Sequence, residues 1–331
     1  MSTIKDIAKR TGLSTATVSR VLNQKGKYTQ ATADKIHQAV QDLDYKINTS
    51  ARELVTQESN VVMVMVNHSA TNFSTQIMQG ILSVAQQNGL TIMVIYAGDD
   101  AASQQAALDT VSERPVRALL IISVPFTEVT LMQLHDTHIP YLFVSMAYPG
   151  TEIPFISSDD YQIGYQATEY LIEAGHTKIG LAGIDPTSYV GEQRQAGYLA
   201  ALAEHELAMP DELIHTGDYS YATGQQAMTA YHQQADTPTA IVGGSDLVTV
   251  GLLNQAQVLG LTVPDDLTLI SIDGTELTWM MHPNLTSVTQ DFRAMGEKAM
   301  QELLDTDFHP NALTSTFIDF KIDARESTEK A

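Results

Sequence analysis

From residue 61 onward the sequence alternates between unbroken apolar runs and stretches of helical periodicity, and nothing else in it constrains the fold as much. VVMVMV (61–66) contains no polar residue, as expected of a parallel strand covered on both faces. A helical pattern follows (Ile77, Ile81, Leu82, Ala85), then LTIMVIY (90–96), the helix SQQAALDTV (103–111), ALLIISV (118–124) and IPYLFVSM (139–146). The alternation restarts with the helix YQIGYQATEYLIEAG (161–175). It continues through KIGLAGI (178–184), the helix RQAGYLAALAEH (194–205), AIVGGS (240–245), the helix LVTVGLLNQAQVLG (247–260) and LTLISID (267–273). Two βαβ sets in succession predict two doubly wound parallel-sheet lobes. No G-x-G-x-x-G or Walker loop follows any of these strands.

The first 45 residues obey a different grammar. Ile4, Ile7 and Ala8 repeat at helical spacing and stop at Gly12, a residue suited to a left-handed C-cap. Ser14 is a good N-cap for a second helix, with Val18, Val21 and Leu22 inward and Thr15, Ala16, Ser19 and Arg20 outward. A third helix follows Thr29, with Ile36, Ala39, Val40 and Leu43 on its apolar side. Two helices joined by the short turn Thr11–Ser14 and backed by a third make an all-α helix-turn-helix head. The stretch YKINTSARELVTQESN (45–60) has no sizeable apolar face and reads as a linker. The expected domains are therefore a head (1–45), a linker (46–60) and an α/β body (61–331). Within the body, lobe 1 is expected over about 61–158 and 292–323, and lobe 2 over about 159–291.

Charge separates the same parts. The chain of 331 residues carries a net −21, yet residues 1–60 hold nine Lys/Arg against six Asp/Glu, a net +3. The remaining 271 residues hold nine against 33, a net −24. A small cationic module on an acidic body is compatible with a nucleic-acid partner for the head. No cysteine is present, so disulfides, thiolate zinc sites and cysteine nucleophiles are excluded. No apolar run approaches the roughly 20 residues of a membrane span, and the first residues lack an apolar secretory core. A soluble cytoplasmic protein without membrane contact is expected. The ten histidines form no H-E-x-x-H and no G-x-S-x-G elbow occurs, so nothing supports an enzyme, and no cofactor or metal is implied.

Several blocks carry a further signal: TIKDIAKRTGLSTATVSRVLN (3–23), DYKINTSARELVT (44–56), YLIEAGHTKIGLAG (170–183), PTAIVGGSD (238–246), GLTVPDDLTLISIDG (260–274), LTSVTQDF (285–292) and ARES (324–327). With their spacing they resemble the lactose-repressor/galactose-repressor (LacI/GalR) family over essentially the whole chain. The resemblance implies a homodimeric repressor with a periplasmic-binding-protein-like body. Its second helix would enter the major groove of a pseudo-palindromic operator. The linker would fold as a minor-groove hinge helix, and the lobes would clamp a small effector that controls operator affinity allosterically.

On that resemblance, Arg20 can bond guanine O6 and N7 together, or contact phosphate only. Thr15 and Ala16 stand at the helix start, where recognition helices meet base edges. Thr17, Ser19 and Asn23 suit phosphate oxygens, and equally suit caps and turns. Leu54 takes the position of the family's minor-groove wedge, with Asn48 and Arg52 on the flanking backbone and groove rim. Ile47 replaces the family's usual proline, which loosens the unbound linker by about 0.4–1 kcal/mol.

Arg194, Asp273 and Tyr219 match the family's effector-binding arginine, aspartate and aromatic, a set that would pair sugar hydroxyls with charge and a sugar face with a ring. Each also has a structural use, as a helix cap, a turn brace and a packed loop tyrosine respectively. Phe73, Asp159 and Ser245 are further effector candidates, while Ser145 stands where many members carry aspartate. Trp279 is expected to pack under its loop. The expected effector is a carbohydrate, a sugar or sugar phosphate. The alternatives are a nucleoside or purine effector, and a global catabolite regulator with a protein co-repressor. No heptad segment follows ARES, so a tetramer built on an appended coiled coil is not expected.

Overall fold

A computed structural model describes residues 3–22, 26–45, 59–67, 72–148, 150–209, 211–235 and 237–329. The chain divides into two compact units, residues 1–58 and 59–331.

In the first unit, local capping chemistry sets the helix ends. Helix α1 (Ile4–Thr11) starts with a capping box, in which Thr3 N–H and Oγ1 both donate to Asp6 Oδ2 at 2.8 and 2.7 Å. It stops at Gly12, whose φ of +69° suits glycine and directs the chain away from the helix axis. Helix α2 (Thr15–Leu22) begins after Ser14, whose Oγ accepts the Thr17 N–H at 3.1 Å. Helix α3 (Gln30–Asp42) begins after Thr29, which accepts from Thr32 N–H. Ile7, Val18, Val21 and Ile36 close the small core, with Val40, Leu43 and Leu22 half-buried around them. This is the helix-turn-helix expected from the sequence. Asn23, Asn48, Arg52 and Leu54, with Ile47 and most of the expected linker, lie outside the described residues.

The second unit runs β1 (Val61–Asn67), α4 (Ser74–Gln87), β2 (Thr91–Ala97), α5 (Ala101–Ser112), β3 (Ala118–Ile122), α6 (Glu128–Asp136), β4 (Tyr141–Val144) and β5 (Phe155–Ser157). It continues with α7 (Asp160–Glu173), β6 (Ile179–Ile184), α8 (Tyr189–Glu204), β7 (Ile214–Thr216), α9 (Tyr221–Gln233), β8 (Ala240–Gly243), α10 (Asp246–Val258) and β9 (Thr268–Asp273). It ends with α11 (Leu277–Met280), β10 (Thr286–Gln290), α12 (Phe292–Asp305), β11 (Thr316–Phe317) and β12 (Phe320–Asp323). The strands form two sheets, ordered β11-β5-β4-β3-β1-β2 and β12-β10-β9-β8-β6-β7. All pairings are parallel except β10 with β12. The inner strands are buried on both faces: β1, β3, β4, β6 and β8 are almost wholly apolar, while β9 (TLISID) and β10 (TSVTQ) bury polar side chains. Val62, Val64 and Val66 pack under α4 and α12, while Met63 and Met65 alternate to the other side.

Two expectations need correction. Residues 320–323 do not belong to lobe 1: they form β12, antiparallel to β10 in the second sheet, because the chain crosses over once more after β11. Trp279 is not packed under its loop but 54 % exposed.

Helices in each lobe meet at paired glycines. A Cβ on Gly164 of α7 would lie 2.1 Å from the carbonyl oxygen of Arg194 in α8, and one on Gly197 of α8 would lie 2.1 Å from that of Tyr161. Gly80 with Gly296 joins α4 to α12, and Gly224 with Gly251 joins α9 to α10, at the same closeness. These contacts bring main chain against main chain, and α7 and α8 carry Asp160 and Arg194 of the site described next.

Candidate functional site

The chain crosses between lobes at the carboxyl ends of β5, β10 and β11. Ile318 N–H donates to the Ser157 carbonyl at 2.8 Å, tying two crossovers together. The loops after β1 and β9 also meet, since Asn72 Nδ2 donates to Thr275 Oγ1 at 2.8 Å. Tyr189, at the start of α8 in lobe 2, packs against the Met63–Phe143 cluster of lobe 1. The carboxyl ends of the two sheets thus face one cleft, the usual ligand position of open α/β sheets.

Arg194 sits one turn into α8, a helix capped by Ser188. It is the one buried cation among the described residues, 7 % exposed. Its Nε donates to Asp160 Oδ1 at 2.9 Å and its Nη1 to the Gly244 carbonyl at 2.8 Å, while Nη2 lies 3.9 Å from Asp273 Oδ1. Asp273 ends β9 at φ +112°, a conformation costing an L residue about 1–3 kcal/mol, and Gln290 Nε2 donates to its Oδ1 at 3.0 Å. Asp246 is wholly buried below it. Its oxygens accept from Ser271 Oγ, from Thr275 Oγ1 and from the N–H groups of Gly274 and Thr275.

Two buried carboxyls, Asp160 and Asp273, therefore flank one guanidinium, and Asp246 lies close to Asp273. Burial works against the charge on Arg194, and the negative charges of Asp160 and Asp273 more than compensate. Burial likewise raises Asp160 and Asp246, opposed in the first by the Arg194 charge and in the second by its hydrogen bonds. The Asp273 carboxyl is pushed up to about 8 by burial; Arg194 opposes this, and Asp246 and Asp160 reinforce it. The 2.9 Å contact makes Asp160 the ion-pair partner of Arg194, with the Asp273 carboxyl the more distant at 3.9 Å. Tyr219, at φ +61°, places its hydroxyl 3.2 Å from Ser188 Oγ, and burial keeps it a neutral phenol.

The other expected cleft residues are engaged locally. Ser245 Oγ donates to the Tyr219 carbonyl at 2.9 Å and accepts from Val248 N–H, capping α10. Asp159 caps α7 by accepting from Gln162 N–H at 3.1 Å. Phe73 stacks on Phe292, with centroids 4.5 Å apart and planes at 13°. Asp160, Asn72, Thr275 and Gln290 were not singled out from sequence. A signal existed for the first: if Asp159 is the N-cap of the helix, Asp160 becomes its first residue and turns inward.

On the head, Thr15, Ala16 and Arg20 are exposed on one side of α2, with Ser19 and Thr17 half-buried beside them. The hydroxyls of Thr17 and Ser14 lie 2.9 Å apart. The Arg20 stem runs beside Gly26, where a Cβ would sit 3.2 Å from Cδ, and Arg20 has no carboxylate partner among the described residues.

Residues 3–48 match the family described as bacterial regulatory proteins, lacI family, and residues 168–328 match the periplasmic binding protein-like domain. The chain is 30 % identical over 306 residues to the HTH-type transcriptional repressor PurR of Aliivibrio salmonicida, covering 92 % of each protein. A transcription regulator from Lactobacillus plantarum of known structure is 41 % identical, with a TM-score of 0.74 over 80 % of this chain and 98 % of that one. The lac repressor dimer bound to operator and the anti-inducer ONPF superposes with a TM-score of 0.90 at 25 % identity, covering 99 % of both chains.

Proposed function

The chain belongs to the lacI family of bacterial regulatory proteins, and on that premise we propose which of its residues read DNA, which hold the effector and which join two copies. It is a DNA-binding transcriptional repressor, not an enzyme, and a small effector controls its operator affinity. Thr15, Ala16 and Arg20 read base edges in the major groove, and Thr17, Ser19 and Asn23 fix the register on phosphates. Asn48, Arg52 and Leu54 serve the minor groove.

Arg194, Asp273 and Tyr219 hold the effector, a carbohydrate in the form of a sugar or sugar phosphate. The observation carrying this reading is the buried guanidinium and the strained Asp273 carboxyl side by side at the cleft: together they offer N–H donors and a carboxyl fixed in position for effector hydroxyls.

Dimerisation falls to surfaces that a monomer would leave wet. The edge strand β2 exposes Val94 and Tyr96, and lobe 2 exposes Val258, Trp279 and Met280, at 41–77 %.

Selection of bound sequences from a random DNA pool, followed by titration of the selected site with sugars and sugar phosphates, tests the assignment. A two-fold pseudo-palindrome and at least one carbohydrate that changes its occupancy are expected. Arg194→Gln is expected to keep operator binding and lose that response. A variant that responds normally would remove Arg194 from the effector site.

A further inference from the structure

Arg194 is the natural anchor for an anionic effector, but it is already committed. Guanidinium recognises phosphate best through two parallel N–H bonds. Here the Nε edge is occupied by Asp160 at 2.9 Å and one Nη1 hydrogen by the Gly244 carbonyl at 2.8 Å. Asp160 is 5 % exposed and its contact with Arg194 is fixed by backbone, because Gly164, one turn along the same helix, abuts the Arg194 carbonyl. Asp273 is a second buried carboxyl, 3.9 Å from Nη2, and no second cation is buried among the described residues. Asp273 Oδ1 accepts from Gln290, while its Oδ2 carries no hydrogen bond among the described residues. What the cleft offers a ligand is thus the outer N–H groups of one neutralised guanidinium, a free carboxyl oxygen and the Tyr219 ring.

We infer that Asp160 is a specificity-determining residue: by pairing with Arg194 it restricts the cleft to uncharged, hydroxyl-rich effectors and rejects phosphorylated ones. This deepens the effector-site reading above and rests on it. A phosphate dianion would have to displace Asp160 from the guanidinium or share a cation that Asp160 already balances, and either arrangement is unfavourable in a site of low dielectric. A free sugar or nucleoside needs neither, since its hydroxyls both donate to Asp273 and accept from Arg194.

The full-length protein and its Asp160→Asn and Asp160→Ser variants can be titrated calorimetrically with inorganic phosphate, glucose 6-phosphate and ribose 5-phosphate, and with glucose, ribose and adenosine. The wild-type chain is expected to show no saturable binding of the three phosphates. Either variant is expected to bind inorganic phosphate about tenfold tighter or more, the guanidinium having regained a free charge. Saturable wild-type binding of a phosphate ester tighter than its free sugar overturns the inference, as does a folded variant with unchanged phosphate affinity. The wild-type comparison decides alone should neither variant fold. If the variants gain phosphate but no ligand changes operator affinity, charge selection by Asp160 stands and the effector reading of the cleft fails.

Discussion

Asn72 of lobe 1 donates to Thr275 of lobe 2 at 2.8 Å, and Thr275 Oγ1 passes the bond on to Asp246 at 2.7 Å. A buried polar chain therefore bridges the cleft and ends among the carboxyls that define it. Removing Asn72 takes away one such bond, worth about 0.5–1.5 kcal/mol. Asn72→Ala should weaken effector binding by roughly two- to tenfold through loss of the closed arrangement, with little change in melting temperature. Calorimetry against any effector found by the operator titration measures this; unchanged affinity would show that the bridge does not bias closure.

Arg20→Ala should cost about 1–3 kcal/mol on the operator and relax preference at one symmetric base pair. Fluorescence anisotropy on operators varied at that pair provides the readout. Equal weakening on every sequence would reduce Arg20 to a phosphate contact.

The carboxyl at 273 predicts a pH dependence with a definite sign. Its folded value, about 8, lies above the unfolded value near 3.8, so between these the folded chain holds a proton that the unfolded chain has released. Stability contributed by this group is complete below pH 4 and falls as pH rises toward 8. The raised Asp160 and Asp246 act in the same sense. Asp273→Asn should remove part of this slope, by about 1–3 kcal/mol between pH 5 and 8. Trp279, the sole tryptophan, lies in lobe 2 and reports the unfolding by fluorescence. Parallel curves for the two proteins would place the proton elsewhere.

Gly164→Ala should destabilise lobe 2 by about 1–3 kcal/mol, because α7 and α8 must separate to admit a methyl group 2.1 Å from a carbonyl oxygen. Effector affinity should fall with it, since the same separation moves Asp160 from Arg194. Urea unfolding followed at Trp279 tests the first effect.

Tyr96→Lys on the β2 edge should shift the protein toward monomer in sedimentation experiments and lower affinity for a two-half-site operator more than for a half-site. A dimer as stable as the wild type would move the interface off this strand.

What could be read from the sequence divides along physical lines. The head was legible because its helix ends are local: Gly12, Ser14 and Thr29 act on main-chain groups within four residues. The two lobes were legible because most of their inner strands, such as β1, β3 and β8, are apolar runs covered on both faces, whereas the polar β10 (TSVTQ) gave no such signal. The pairing of 320–323 with β10 was not, since a four-residue strand has no periodicity and its partner lies some thirty residues back. Nor was the choice between Asp159 and Asp160. Adjacent aspartates look alike in sequence, and only the packing of α7 on α8 determines which caps the helix and which meets Arg194.

The paired glycines make each lobe mechanically stiff. Where helices touch through main chain rather than through side chains that can change rotamer, little can yield, and a ligand cannot be accommodated by local softening. Its effect is then expected as rotation of one lobe against the other about the crossovers near 158, 291 and 319. Each lobe is then a lever with the effector at one end. A small displacement beside Arg194 would then emerge enlarged at the opposite ends of the strands, where β1 receives the chain from residue 59.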